Sequence, residues 1–238
     1  MNDALGMIYA VTTANSRDEL VQRMHEAVRE LGCEHFMLGV EVHRPALDPV
    51  QDVTSGYPER WQRRYVEKGY VRMDPTVPHC QQHTTPLVWH DGIYADGSIE
   101  LLEEARSHGL SHGLSIGVHE TRNSKSMVSL ARDRPIDTDA REQQEIVQAA
   151  TVLATCAHMA AIRLIVPDLL AGQSARLTPR EHDCLRLVMQ GKSTSVISDL
   201  LRISEPTVDF HVKNVMRKLG VATRVQAVAK AVSLGLLD

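Results

Sequence analysis

The chain is short of aromatic residues: nine in 238 positions, of which two are tryptophan and two phenylalanine. No run approaches 18 consecutive apolar residues, which excludes a transmembrane helix on that criterion. The opening MNDALGMIYAVTTANSRDEL lacks the basic start and clean apolar stretch of a secretory signal, so a cytoplasmic location is expected. Cys33, Cys80, Cys156 and Cys184 form no CxxC pair and read as idle thiols in a reducing compartment. No unit of 20–50 residues repeats, which removes solenoids and propellers. Basic charge is also short: the net charge is −4, which on average does not describe a nucleic-acid binder. What remains, 43% hydrophobic and 24% charged, is an ordinary globular composition.

The average conceals two halves. Residues 176–238 carry 10 Lys/Arg against 6 Asp/Glu, a net of +4; residues 1–175 carry 16 against 24, a net of −8. Such asymmetry argues for two units with different partners. Val166-Pro167-Asp168 stops a helical pattern and Ala171–Ala175 reads as a flexible linker. The expected division is residues 1–166, a linker at 167–175, and residues 176–238.

The first unit mixes element types. Ser16 and Glu19 form a capping box for a helix ended by Gly32, and Phe36, Leu38, Val40 and Val42 alternate as in a half-buried strand. Helices are expected near Pro58–Lys68, Ile99–Ser107 and Asp139–Leu164, with strand-like runs at Leu114–His119 and Met127–Arg132. The fold class is α+β, an α-β-α sandwich around a central antiparallel sheet. In the long helix, Ile146, Ala150, Leu153, Ala157, Ala160 and Leu164 form a seam that could serve a dimer, and His158 reads as an interface or surface residue.

The second unit reads as all helix. Thr178-Pro179-Arg180-Glu181 is a capping box with proline at the first helical position, Ser193 and Ser204 can cap two further helices, and Thr223 with Gln226 opens a fourth. In the third helix Val208, Val212, Val215 and Leu219 fall on a core face. The other face carries Pro206, Phe210, Lys213 and Arg217, flanked by Asp209 and Asn214. An outward phenylalanine among cations suits a major groove, where an apolar side chain can meet a thymine methyl and cations can take base edges or phosphates. The bland alternative is a helical bundle with a solvated basic face.

Motif detail favours the first reading. Leu177–Glu181, Gly191-Lys192-Ser193, Ile203–Asn214 and Lys218-Leu219-Gly220 closely resemble the LuxR-type (GerE-like) helix-turn-helix domain, a four-helix all-α unit. The resemblance implies double-stranded DNA as partner. It points to Thr194, Ser204, Glu205, Thr207, Asp209, Phe210, Lys213, Asn214 and Arg217 as the DNA-facing residues. Asp209 stands where many relatives carry a neutral or basic residue; near cytosine N4 it could accept a hydrogen bond.

Five of the nine aromatics lie between Tyr57 and Trp89, and Tyr57, Trp61 and Tyr65 share one helical stripe. Such a stripe is usually core. Rings with polar tips beside one carboxylate, Asp74, also fit an apolar ligand pocket with a few orienting groups. Gly56-Tyr57-Pro58, Trp61, Tyr65, Tyr70, Met73–Val77 and Trp89 are similar to the acyl-homoserine-lactone-binding domain of LuxR-family quorum-sensing regulators. The resemblance implies that Trp61 donates to the lactone carbonyl and Asp74 accepts the ligand amide. Tyr57 and Ser129 would hold the acyl carbonyl, Tyr65 would pack or bond nearby, and Trp89 would form a wall. It further implies a homodimer on an inverted-repeat operator and RNA polymerase as a partner. Gly117, Gln62 and the Leu101-Leu102 pair depart from the family pattern, which bears on acyl length and 3-oxo status.

Twelve histidines raise a metal alternative, with Glu104, His108 and His112 spaced i, i+4, i+8 and His79 and His83 spaced i, i+4. There is no HExxH, and Gly109 and Gly113 interrupt the helix it would need, so no metal or cofactor is expected. A Cys80–His hydrolase has nothing to orient the pair, so no catalytic residue is assigned and the chain is not expected to be an enzyme. The rival from another class is a DNA-binding regulator whose first half binds protein rather than a small molecule.

Overall fold

The computed structural model describes residues 2–44, 47–95, 97–120, 124–135, 140–171 and 177–237. They form two compact units, one of residues 1–42 and 51–168, the other of residues 43–50 and 169–238.

The first unit is built on a five-stranded sheet of order β2-β1-β5-β4-β3. Its strands are β1 (His35–Arg44), β2 (Leu47–Ser55), β3 (Leu87–Val88), β4 (His112–His119) and β5 (Ser124–Arg132). The pairs β1–β5, β4–β5 and β3–β4 are antiparallel. Helices α1 (Asn2–Ala10), α2 (Arg17–Glu30) and α6 (Ala140–Leu164) cover one face. The other face carries α3 (Glu59–Lys68), α4 (Thr76–Gln82) and α5 (Ile99–Ser107).

Strand alternation separates structure from function, because successive side chains point to opposite faces. Phe36, Leu38, Val40, Leu114, Ile116, Val128 and Leu130 bury against α1, α2 and α6. Their neighbours Met37, Gly39, Met127 and Ser129 line a cavity on the other face. Helix α2 begins where expected: the Ser16 hydroxyl accepts from the Glu19 amide, while the Glu19 carboxylate accepts from the Asn15 amide instead of closing the box on Ser16.

Four expectations need correcting. The α6 seam is no free surface: Ala150, Leu153, Ala157 and Ala160 are fully buried in the core of their own unit. His158 is buried as well, and its Nδ1 is 2.7 Å from the Ser126 hydroxyl. Gln143–Leu164 is in fact long and apolar enough to cross a membrane, but its apolar stripe packs on the sheet, which makes it a core helix. The segment expected to open a linker at 167 begins as a helix, α7 (Val166–Ala171), with Pro167 in its first turn, where a missing N–H costs nothing. The rest of that linker, residues 172–175, lies outside the described residues.

The second unit holds four capped helices: α8 (Pro179–Met189), α9 (Thr194–Leu201), α10 (Glu205–Leu219) and α11 (Arg224–Ser233). Each N-terminal amide left without an intrahelical acceptor needs a partner. Thr178, Ser193, Ser204 and Thr223 each supply one through the side chain, and Thr178–Glu181 and Thr223–Gln226 are complete capping boxes. Glu181 is nearly buried and is joined at 2.5 Å by Lys218, tying α8 to α10. The core is Cys184, Leu185, Ile197, Val208, Val212, Val215, Leu219, Ala227 and Ala231. Between α9 and α10 the turn passes through Arg202 at φ 53°, a left-handed conformation that non-glycine residues seldom take.

Candidate functional site

A cavity of about 580 Å³ lies between the sheet and α3, α4 and α5. It is lined by all six residues expected of the ligand site: Tyr57, Trp61, Tyr65, Asp74, Trp89 and Ser129. They arrive from separate stretches of chain. The helical stripe delivers Trp61 and Tyr65 but not Tyr57, which precedes the Pro58 cap of α3 and so corrects the three-residue stripe expected; the turn before α4 delivers Asp74, and the strands deliver Ser129.

Asp74 is the polar centre. Its Oδ1 accepts from the Thr76 amide (2.9 Å) and hydroxyl (2.6 Å), and its Oδ2 accepts from the Tyr65 hydroxyl (2.9 Å). A carboxylate offers about four lone-pair sites, so three protein donors leave room for one more. Burial pushes the Asp74 carboxyl above its ordinary range, and its three donors pull the other way. Burial and then the Asp74 charge push the phenols of Tyr57, Tyr65 and Tyr94 upward, so all three stay protonated donors. Cys80, also in the wall, is pushed up to about 12 by burial, which keeps it a neutral thiol.

A second polar chain crosses the sheet. The Trp89 indole donates to the Ser115 hydroxyl (2.9 Å), and Ser115 and Ser129 share a hydrogen bond of 2.8 Å. Ser129 in turn lines the same cavity as Tyr57. Trp89 thus spends its N–H on the protein and acts as wall. It also depends on Gly113, where an added Cβ would come within 2.8 Å of the Trp89 ring and 2.4 Å of the Leu130 carbonyl.

The floor behind Trp61 is aromatic, with Tyr70 stacked at 6.0 Å and His108 at 5.4 Å between ring centroids. Above it Arg64 grips Glu104 with two parallel bonds of 2.7 and 2.6 Å, linking α3 to α5. That grip holds Glu104 down at about 2. Among the described residues no group of three His, Cys, Asp or Glu is placed to hold a metal ion.

Sequence reasoning placed Leu101 and Leu102 in the pocket wall, where they lie, but missed Tyr94, Ser115 and the apolar walls Leu110 and Met127. Tyr94 is buried and lies five residues beyond the aromatic cluster, on a short 3-10 turn with no pattern of its own. Ser115 becomes visible only through strand register, which sets it opposite Ser129.

In the second unit α10 presents Phe210, 60% exposed, together with exposed Lys213 and Arg217. Glu205 is exposed at the start of the same helix. Other expected DNA-facing side chains already have partners. The Ser204 hydroxyl caps the helix and lies 2.7 Å from the Thr207 hydroxyl, and Asn214 accepts from Arg217 at 3.2 Å. Asp209 is paired with Arg224 at 2.6 Å, and Arg224 also donates to Thr194 at 3.0 Å.

Comparison with known proteins agrees with both units. Residues 16–161 match the autoinducer binding domain, and residues 175–231 match the domain described as bacterial regulatory proteins, luxR family. The transcriptional activator SolR of Ralstonia nicotianae is 32% identical over 96% of this chain and 96% of its own. The transcriptional activator AnoR of Acinetobacter nosocomialis is 31% identical over 97% of each chain. A solved structure of SdiA, in complex with octanoyl-rac-glycerol, superposes with a TM-score of 0.73 at 25% identity, covering 99% of this chain and 95% of that one. SolR and AnoR are transcriptional activators and not enzymes. With a small-molecule cavity in one unit and a helix-turn-helix in the other, the chain belongs to the LuxR family of bacterial transcription regulators.

Proposed function

We propose that the cavity binds an N-acyl-homoserine lactone and that the loaded protein acts as a cytoplasmic homodimer on an inverted-repeat operator. The observation that carries this reading is the open acceptor site on Asp74 inside a largely apolar cavity that Trp61 and Tyr57 also line. An acyl amide needs one such acceptor, and its chain needs an apolar slot. Trp61 would donate to the lactone carbonyl, while Tyr57 and Ser129 hold the acyl carbonyl. Because the ligand fills space that is otherwise hollow, it completes the core and stabilises the unit.

On DNA, two copies would present two α10 helices to successive major-groove faces, with Phe210, Lys213 and Arg217 contributing readout and charge. Glu205, Thr207 and Asn214 flank that face, and the operator-bound dimer would recruit RNA polymerase. The α6 seam cannot form the dimer, since it is spent on the core. The face α6 leaves open is Gln148, Thr155 and Met159.

A thermal-shift panel of lactones with chains of different length and oxidation tests the ligand. A second reading comes from SdiA, whose ligand is an acyl glycerol, so octanoyl glycerol belongs in the panel. Stabilisation by lactones is the expected result. Stabilisation by the glycerol alone replaces the lactone with an acyl ester, and stabilisation by neither refutes a lipid-like ligand. Sedimentation of the loaded protein with an operator duplex tests the dimer, and a monomer on DNA overturns it.

A further inference from the structure

Arg224 has no part in the DNA-facing surface described above, yet it is where three helices meet. It is the first residue of α11, Thr194 the first of α9, and Asp209 lies on the flank of α10. Its two terminal nitrogens divide between them: Nη1 donates to the Thr194 hydroxyl at 3.0 Å, and Nη2 to Asp209 Oδ1 at 2.6 Å. The Thr194 hydroxyl itself lies 3.4 Å from the same Asp209 oxygen, which closes a triangle.

We propose that Arg224 is a positioning residue for DNA recognition, which fixes the rotation of α10 about its axis and cancels the charge of Asp209. Asp209 immediately precedes Phe210 and lies one helical turn before Lys213. Holding its carboxylate to α11 therefore sets the direction in which both reading side chains project. The same bond removes a negative charge from a surface that must approach phosphates, where a bare carboxylate would repel. Asp209 is consequently a strut rather than a reader of cytosine, and Thr194 is the third point of the strut. A guanidinium suits the task because its rigid fork can serve two acceptors in fixed directions, which a lysine ammonium cannot do.

Two other roles for Arg224 give different results. It could instead touch a phosphate directly, or it could matter only by neutralising Asp209. The test uses the full-length protein and a duplex selected in vitro by the unsubstituted chain, with affinity measured by anisotropy across a series of NaCl concentrations. Arg224→Met is expected to lose about tenfold or more in affinity. The double variant Asp209→Asn with Arg224→Met restores the local net charge without restoring the bonds. It is expected to remain several-fold weaker than the unsubstituted protein, with the same slope of log K against log[NaCl]. A double variant that binds as well as the unsubstituted protein would reduce Arg224 to charge cancellation and overturn the positioning role. A slope shallower by about 0.9 in both variants would make it a phosphate contact, and also overturn it. If Arg224→Met does not fold by circular dichroism, Arg224→Lys decides the matter, since it keeps the charge and loses the fork. Loss of affinity at unchanged slope supports the strut, and unchanged affinity refutes it.

Discussion

The two units solve opposite problems. The sensor unit hides its candidate working groups: Ser129 is 1% exposed and Trp61 4%. The DNA-binding unit displays them, with Phe210 60% exposed. Hidden polar groups must be satisfied by the fold itself, so Asp74 carries three donors and Trp89, Ser115 and Ser129 form a chain. Displayed groups need no such shell, because water satisfies them until DNA arrives. They need a rigid platform, and capped helices with side-chain struts provide it. The difference teaches where each unit is fragile: the sensor at its buried polar partners, the DNA reader at its orientation and charge.

The largest separation between the units should come from Asp74→Asn. Losing a hydrogen bond to a charged group costs about 1.5–3 kcal/mol, so ligand affinity should fall roughly 10- to 100-fold. Duplex affinity at saturating ligand should be unchanged, and a matching loss in both would show that the units are not separable in this way. Ser115→Ala comes next. It strands the Trp89 indole and a hydroxyl that is 1% exposed, and should destabilise the sensor by about 1–3 kcal/mol in denaturant melts. Lys213→Ala should act on the other unit alone. Duplex affinity should fall several-fold and the salt slope should become shallower by about 0.9, with the ligand-induced thermal shift intact.

The smallest effect concerns pH. Arg64 holds Glu104 at about 2, below its ordinary 4.5, so the folded state binds this proton less readily than the unfolded state. The stabilisation is present above about 4.5 and lost as pH falls toward 2. Glu104→Gln should therefore lower Tm at pH 7, with the gap to the unsubstituted protein closing on acidification. A gap that stays constant with pH would assign the effect to packing.

The DNA-binding unit was legible almost to the residue. Thr178, Ser193, Ser204 and Thr223 stand in the sequence as caps and act as caps, because a helix start is a local event spanning four residues. The sensor was legible in part. Its strand alternation and the Ile99–Ser107 helix could be read, but β2 could not. LDPVQDVTS carries a proline and two aspartates, tolerable because the sheet order puts this strand at an edge. Helix α4 escaped because seven residues with a central proline give no periodic signal.

Among site residues the division follows the same line. Trp61 and Tyr65 announce themselves by helical spacing, Tyr57 by its place in the aromatic cluster just before α3, and Phe210 by its apolar ring among cations. Tyr94, Ser115 and Arg224 do not, since what gives each its role is a partner 14 to 30 residues away or a shared cavity. The α6 stripe is the clearest case of a pattern read correctly and assigned wrongly. Apolar spacing says that a face will be buried and cannot say against what; here it is the sheet of the same unit.

The sequence by itself determined the two units, the helix starts of the DNA-binding one, the alternation of β1, and the residue types proposed to meet ligand and DNA. These are set within a few positions along the chain, by hydrogen-bond geometry at helix ends and by the periodicities of helix and strand. Only the tertiary structure decided that Asp74 keeps one acceptor site open, that Trp89 spends its indole on Ser115, and that Asp209 is held by Arg224. The physical reason is that a polar group's availability depends on which partners the fold has already brought within about 3 Å of it. Such partners come from distant stretches of chain, where local pattern carries no information about them.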